Sequence, residues 1–309
     1  MRDFGLTASK LVDVLANDFA GKDALATAVD VQGYVESLAA AEQAGSLDEG
    51  RFDATTREFL APLSRMCVEY LATPSDGSEG APRADRPGPC VRLEGDASGT
   101  LRIVVGHFKD DGVLSALREN HDAVASASAL EIDLRECREG ALGNAFCLMS
   151  LLFSEPVDLR ELMGPQRVRS LYTVRNARYR LEQLARLLPF ADRESRAQLE
   201  REAAHIQECV SKGWVEEAEY YERLECPAAP EGLPVRVLVG PETAGAAEQL
   251  ALVLKKAADS GVAHAELVGK PSGKAAFENL LRVPLDDRSW IVYPMTKACG
   301  DGPCGKPAL

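Results

Sequence analysis

Apolar strands alternate with amphipathic helices along most of the chain, and this alternation constrains the fold more than any other feature. Strands are predicted at "TLRIVVGHF" (100–108), "ALEIDLR" (129–135), "VRVLVG" (235–240), "AELVG" (265–269) and "SWIVYPM" (289–295). Helices are predicted between them at 112–126, 141–153 and 244–259. Strands separated by helical patterns indicate a mixed α/β (α+β) core whose strands are largely buried.

The first 75 residues have a helical pattern without strands. Three runs, at 6–19, 23–45 and 53–72, repeat apolar residues close to the helical period. Gly45 suits a helix C-terminal cap, and Pro62 should kink the third helix or mark its end. We therefore expect a small helical bundle over residues 1–75.

The segment "PSDGSEGAPRADRPGP" (74–89) has the Pro, Gly, Ser and Asp content of a linker. Together with the patterns on either side, this segment predicts a helical bundle at 1–75, a linker at 76–89 and an α/β domain at 90–309. A helical insertion is expected within that domain, at about 155–230, with Gly213 dividing its last helix in two. Six arginines lie between 167 and 186, and pairing with the Glu-rich helix that follows is favoured over an anion site.

Composition excludes several classes of function. Hydrophobic residues make up 46% of the chain, and the formal net charge is −13. Such a charge argues against a nucleic-acid or anionic-membrane partner. The N-terminus lacks the apolar run of a secretory signal, and no apolar run is long enough to span a bilayer, so a cytoplasmic protein is expected.

The cysteines and histidines do not form a metal-ligand pattern. Eight cysteines are scattered along the chain, which favours free thiols over a disulfide framework. A terminal disulfide or metal site at Cys299 and Cys304 is the less favoured alternative. The four histidines have no ligand spacing, and we expect neither a metal nor a cofactor.

One strand–turn–helix junction, "VLVGPETAGAAEQLALVLKK" (237–256), is of the kind that often presents a nucleophile. Gly245 stands where a serine would be sought. The junction and its surroundings resemble the tail-specific (C-terminal processing) serine protease family in two blocks, around 100–155 and 235–295. The matching runs are "EIDLRECREGALGNAF" in the first block and "VRVLVGPETAGAAEQ" with "AELVGKPSGKAAFE" in the second.

The resemblance implies a crotonase/ClpP-like core of β-β-α units and a Ser/Lys mechanism. In that mechanism a buried lysine of depressed pKa is the general base, and two backbone N–H groups bind the oxyanion. Lys274 falls on the family's lysine, Glu248 on the glutamate of its serine motif, and Gly245 on the nucleophile. The first and last residues of that motif are Thr243 and Ala247.

Several positions depart from the family pattern. The Gly/Asn-rich loop has become "ECREG", with only Gly140 left, and Glu278 stands where the family often has Gln. A carboxylate beside Lys274 would keep it protonated, and a protonated lysine is a poor base. Loss of the nucleophile alone should lower the rate on the order of 10⁶-fold.

The sequence therefore predicts a serine peptidase-like protein that has lost catalysis and binds a peptide or protein segment. The amides of Gly245 and Ala246, with Lys274, would hold its C-terminal carboxylate. One alternative is an active peptidase whose nucleophile is Thr243, or Cys137 assisted by His107. A helix N-cap role for Thr243 is preferred. The other alternative is an assembly module that forms a homodimer.

Overall fold

The computed structural model describes most of the chain, and every structural statement below concerns these residues: 2–73, 90–108, 112–137, 140, 142–150, 153, 155–163, 167–191, 193–217, 223–224, 232–270 and 277–299. The predicted linker, Lys274 and Cys304 lie outside them.

The helices and strands follow in chain order. The helices are α1 Phe4–Asn17, α2 Leu25–Ala28, α3 Val31–Gln43, α4 Glu49–Leu60, α5 Gly112–Glu119, α6 His121–Ser126, α7 Leu142–Ser150, α8 Leu159–Met163, α9 Val174–Leu187, α10 Arg193–Cys209 and α11 Ala246–Asp259. The strands are β1 Glu69–Ala72, β2 Val91–Gly95, β3 Thr100–Val105, β4 Ala129–Asp133, β5 Val157–Asp158, β6 Arg167–Tyr172, β7 Gly213–Glu217, β8 Arg223–Leu224, β9 Val235–Leu238, β10 Ala265–Val268, β11 Phe277–Pro284 and β12 Ser289–Cys299.

These elements form two compact units, each assembled from separated stretches of chain. Unit 1 comprises 1–83, 168–217 and 277–298, and unit 2 comprises 84–167, 218–276 and 299–309. The predicted mixed α/β class with an N-terminal helical region is confirmed. The predicted linear division at 76–89 stays a prediction, and the units themselves are discontinuous.

The N-terminal helices of unit 1 begin where the sequence offers a capping carboxylate. The side chains of Asp3, Asp30 and Asp48 accept hydrogen bonds from backbone N–H groups in the first turns of α1, α3 and α4. Gly45, with φ +65°, follows the end of α3, as predicted. Pro62 lies in the short 3-10 helix Ala61–Met66 that follows α4, so the predicted boundary is also correct.

Unit 1 contains a five-stranded sheet that the sequence pattern did not indicate in full. β12 pairs with β1, β6 and β11, and β6 pairs with β7. The predicted helix after Gly213 is wrong: Ser211 and Gly213 have positive φ, the chain reverses there, and Trp214 of β7 pairs with Leu171 of β6.

The arginines at 167–186 are partly tied to acidic side chains of unit 1. Arg180 pairs with Glu202 of α10 at 2.7 Å, as expected for the Glu-rich helix. Arg175 instead pairs with Asp13 and Asp18 of the first helical segment. These contacts favour a structural role for the cluster.

Unit 2 contains a sheet of order β10-β9-β4-β3-β2, in which β10, β9, β4 and β3 are parallel and β2 is antiparallel. Alternate residues of β3 are buried, which is the period-2 pattern of a strand with one apolar face. That face packs with α5, α7 and α11 in one core, which includes Ile103, Ile132, Val237 and Leu250. β2, β3 and α5 form a β-β-α unit at one end of the sheet.

No helix of the described residues is both long and apolar enough to cross a bilayer. Four cysteines in the described part of the chain are free thiols, namely Cys67, Cys90, Cys137 and Cys209.

Candidate functional site

The turn between β9 and α11 is fastened to the neighbouring strand through Thr243. Its hydroxyl accepts a hydrogen bond from the Gly240 N–H at 2.9 Å and donates one to the Leu134 carbonyl at 2.7 Å. The Thr243 backbone N–H donates to the Gly240 carbonyl at 3.0 Å. The side chain is fully buried, so Thr243 holds the turn against the end of β4.

The preference for Thr243 as the helix N-cap is wrong in detail, although its role is structural. The N-cap residue of α11 is Gly245, and no side chain caps that helix. The Thr243 hydroxyl is directed back at the turn and at β4, because its hydrogen bonds go to Gly240 and Leu134.

Gly245 has a backbone conformation that L-residues rarely adopt, with φ 56° and ψ −127°. Directly after it, Ala246 and Ala247 are buried and begin α11. The amides of a first helical turn lack intrahelical partners and form an anion-attracting N-terminus. Glu248 is also buried in this first turn, where the helix dipole favours a carboxylate.

Cys137 and Gly140, from the loop that follows β4, lie at the same edge of the sheet as the β9–α11 turn. The Ala244 N–H donates to the Cys137 carbonyl at 3.1 Å, which joins this loop to the β9–α11 turn. Gly140 forms a parallel bridge with Phe108, and a Cβ on Gly140 would lie 2.2 Å from the Phe108 backbone. Gly140 is thus required by close backbone approach, at φ +137°.

Three charged side chains that the sequence reasoning missed lie at this edge. Asp133 ends β4, and Arg135 Nε and Nη2 donate to its two oxygens at 2.9 and 2.7 Å. Arg102 Nη2 of β3 donates to the same carboxylate at 2.5 Å. The "EIDLR" run contained two of these residues, but the partner on β3 could be found only from strand register.

The two guanidinium groups determine the charge state of Asp133. Burial alone would raise the pKa of this carboxyl, but the hydrogen bonds from Arg135 and Arg102 outweigh it and hold the pKa well below its ordinary range. Asp133 is therefore a fixed negative charge at neutral pH, and it orients both arginines.

A surface cleft of about 690 Å³ lies at the carboxyl end of the parallel strands. Arg92 and Glu94 of β2, Arg102, Asp133, Arg135 and Glu136 line it, together with the Gly240–Glu242 part of the β9–α11 turn. Ligands of open α/β sheets bind outside the carboxyl ends of the strands. The cleft is thus the candidate site of unit 2.

The alternative thiol nucleophile is inaccessible in this arrangement. Cys137 is fully buried, and His107 is buried as well. The described residues contain no group of three or more His, Cys, Asp or Glu side chains placed to hold a metal ion.

Two of the predicted site residues, Lys274 and Glu278, are not among the described residues of this turn. Lys274 lies outside the described residues. Glu278 belongs to β11 of unit 1, where its backbone pairs with Thr296, and its side chain is not described. The residues assembled at the carboxyl edge of unit 2 are Gly140, Thr243, Gly245, Ala246 and Glu248.

Among known proteins, the chain is similar to several solved structures. No family model matches the chain, and no curated protein matches it. Mature CPAF complexed with lactacystin is 15% identical with a TM-score of 0.43, over 68% of this chain and 46% of that one. The photosystem II D1 C-terminal processing protease is 16% identical with a TM-score of 0.35, over 68% and 43% of the two chains.

A third solved structure matches over a longer stretch. A lipoprotein from Streptococcus agalactiae is 10% identical with a TM-score of 0.48, over 97% of this chain and 87% of that one. This chain spans less than half the length of the CPAF and D1-processing protease chains. A C-terminal processing protease is thus among the solved structures to which the chain is similar, at low identity.

Proposed function

We propose that this protein is a serine peptidase-like protein that binds peptides without cleaving them. The observation that carries the proposal is Gly245, which has no side chain and occupies the strained position at the start of α11. The turn leads into Gly245 and the N-terminus of α11 follows it, and residues Gly240–Glu242 of the same turn line the cleft. The site thus retains a place for a ligand but has no hydroxyl at the position expected for the nucleophile.

The other candidate nucleophiles of the turn are poorly suited to attack. The Thr243 hydroxyl uses its proton in the bond to Leu134 and is buried. Cys137 is fully buried, and a peptide bond in solution has no access to it without rearrangement. Both observations favour the non-cleaving proposal over an active peptidase with an unusual nucleophile.

Peptide binding is supported by the chemistry of the same edge. The first-turn amides of α11 attract an anion, and Arg135 extends a half-exposed guanidinium into the cleft. A C-terminal carboxylate of a peptide is an anion of suitable size. We propose Lys274 as a further contact to this carboxylate, on the family resemblance alone.

Proteolysis of an unstructured protein substrate tests the absence of catalysis. We expect no cleavage by the purified chain and none by its Lys274→Ala, Thr243→Val and Cys137→Ala variants. Cleavage by the wild-type chain that any of these substitutions abolishes would contradict the proposal and identify the working residue. A fluorophosphonate probe should likewise leave the chain unlabelled.

Fluorescence anisotropy with paired peptides tests binding. Each peptide is made with a free C-terminal carboxylate and with an amidated end, and the carboxylate form should bind more tightly. Loss of one charge-assisted hydrogen bond would weaken binding by about ten-fold. Arg135→Gln should reduce the difference between the two forms, and Arg118→Gln, on α5 of the same unit, serves as the control. Equal affinity for both forms would refute carboxylate recognition.

A further inference from the structure

One face of the unit 2 sheet carries a row of alternating charges. Glu94 of β2 is in register with Arg102 of β3, and Arg102 is in register with Glu131 of β4. Glu131 is in register with Arg236 of β9, which is in register with Glu266 of β10. Every one of the five strands contributes one residue, and the sign of the charge changes at each step. We call this row the charge ladder.

Side-chain contacts follow the register. Arg102 Nε lies 3.4 Å from Glu131 Oε1, and Arg236 Nη1 lies 3.2 Å from Glu131 Oε2. Arg236 Nε lies 3.5 Å from Glu266 Oε2. Opposite charges directly across a strand pair stabilise the pairing, and like charges destabilise it. The ladder therefore specifies which strands are neighbours.

The ladder ends in a glutamate on both sides. Within the described part of the chain, β2 and β10 are the edge strands of this sheet. Arg102, Glu131 and Arg236 each have an opposite charge on both sides, whereas Glu94 and Glu266 have a cross-strand partner on one side. A sixth strand that continued the pattern would place a basic residue opposite a terminal glutamate.

We propose that the β2 edge binds an extended peptide as an added strand, with a lysine or arginine in register with Glu94. This proposal rests on the proposed peptide-binding function and names its ligand class. β2 is favoured over β10 because Arg92 and Glu94 line the candidate cleft. Addition of a strand to an exposed sheet edge gives affinity through backbone hydrogen bonds and specificity through alternate side chains.

Two features of β2 bear on this recognition. Arg92 Nε lies 3.8 Å from Glu94 Oε1, and both side chains are more than half exposed, so this ion pair is weak. A lysine or arginine of the bound peptide can therefore replace Arg92 as the partner of Glu94. Val91 and Leu93 face the other way and pack against the core. Peptide residues on either side of the basic one would therefore be apolar. Charges on an edge strand also oppose indiscriminate strand pairing, which makes the edge selective.

A charge-reversal experiment tests the proposal. The probes are two short peptides of alternating apolar and polar residues, blocked at both ends, that differ only in a central Arg or Glu. Wild-type protein should bind the Arg peptide about five-fold more tightly, the size of one cross-strand charge pair. Glu94→Arg should reverse this preference, and Glu94→Gln should nearly remove it. Glu266→Arg, at the other end of the ladder, should leave the preference unchanged.

Each other outcome has a defined meaning. A preference that survives in Glu94→Arg, or that is altered by Glu266→Arg instead, would overturn the assignment to β2. If the blocked peptides do not bind while peptides with a free carboxylate do, strand addition is wrong and the proposed function stands. If no peptide binds, both fall. Thermal unfolding of each variant, with Glu94→Gln as the milder change, verifies that the sheet is folded.

Discussion

Thr243 shows how one side chain can define a turn. Its hydroxyl joins the Gly240 N–H to the Leu134 carbonyl, and Leu134 is 109 residues away in the chain. The family resemblance placed this residue near the nucleophile position, but its side chain is buried and its hydrogen bonds stabilise the turn. Thr243 thus determines the shape of the turn through its hydrogen bonds.

Thr243→Val should destabilise unit 2 while keeping the volume of the side chain. It leaves the buried Gly240 N–H without its partner and removes one of two hydrogen bonds to the Leu134 carbonyl, which keeps the bond from the Cys137 N–H at 3.0 Å. This loss costs about 1 to 3 kcal/mol in the free energy of unfolding. Thr243→Ser retains the hydroxyl and should cost less than about 1 kcal/mol. Urea denaturation measures both values, and equal losses in the two variants would show that the hydroxyl is not the cause.

Gly245→Ser would place a side chain at φ 56° and ψ −127°. Because L-residues are strained in this region, we expect a loss of about 1 to 3 kcal/mol in the free energy of unfolding. The matched control is Gly95→Ser at the end of β2, where a Cβ meets nothing within 4 Å and φ is not positive. Unchanged stability of Gly245→Ser would mean that the turn relaxes to accept a serine.

Among the elements, long helices and buried strands could be predicted from the sequence. Gly45 and Pro62 marked real boundaries, and the parallel strands β3, β4, β9 and β10 fall within predicted runs. β1, β2, β6, β7 and β11 were missed, and three of them (β1, β2 and β7) are short strands with mostly partly or fully exposed side chains. For the site, Gly245 and Thr243 were found from local pattern. Asp133 and Arg102 were not, because their pairing depends on the register of two strands.

The end of β4 should give the protein a defined acid sensitivity. Asp133 has a folded-state pKa well below that of an unfolded aspartate, so its contribution to stability is present above about pH 4 and is lost as pH falls through the folded pKa. Asp133→Asn should lower the free energy of unfolding by about 1 to 2 kcal/mol at neutral pH. This difference from wild type should shrink below about pH 4.

Urea denaturation at several pH values measures the difference. Asp122→Asn is the control, since this carboxylate is fully exposed on α6 of the same unit. A difference between wild type and Asp133→Asn that stays constant across the acid range would contradict the linkage to this carboxyl.

At the scale of the whole molecule, unit 1 is built from three separated stretches of chain. Its core combines Leu11 and Phe52 from the N-terminal helices with Ile206 of α10 and Tyr293 of β12. The Ala20 N–H donates to the Pro294 carbonyl at 3.0 Å, and Asn176 Nδ2 donates to the Asp18 carbonyl at 2.8 Å. The N-terminal helices are therefore part of a core that later segments complete.

A fragment of residues 90–309 should accordingly fold only in part. Without α1 to α4 and β1, segments 168–217 and 277–298 lose much of their apolar packing and should exchange backbone amides rapidly. Segment 235–268 of unit 2 should stay protected. Hydrogen exchange read by mass spectrometry compares these segments, and addition of a 1–75 peptide should restore protection. Native protection throughout the fragment would favour the linear division of the chain.

The pairing of β1 with β12 has a consequence for synthesis of the protein. Glu69 of β1 lies opposite Val292 of β12. During synthesis β1 therefore cannot form its sheet until β12 has been translated. A ribosome adding about 5 to 20 residues per second takes roughly 11 to 45 s to cover that interval. During this time the nascent N-terminal helices and β1 lack their final neighbours. We expect this chain to depend on chaperones that hold apolar segments during translation more than a protein of the same size with sequential domains.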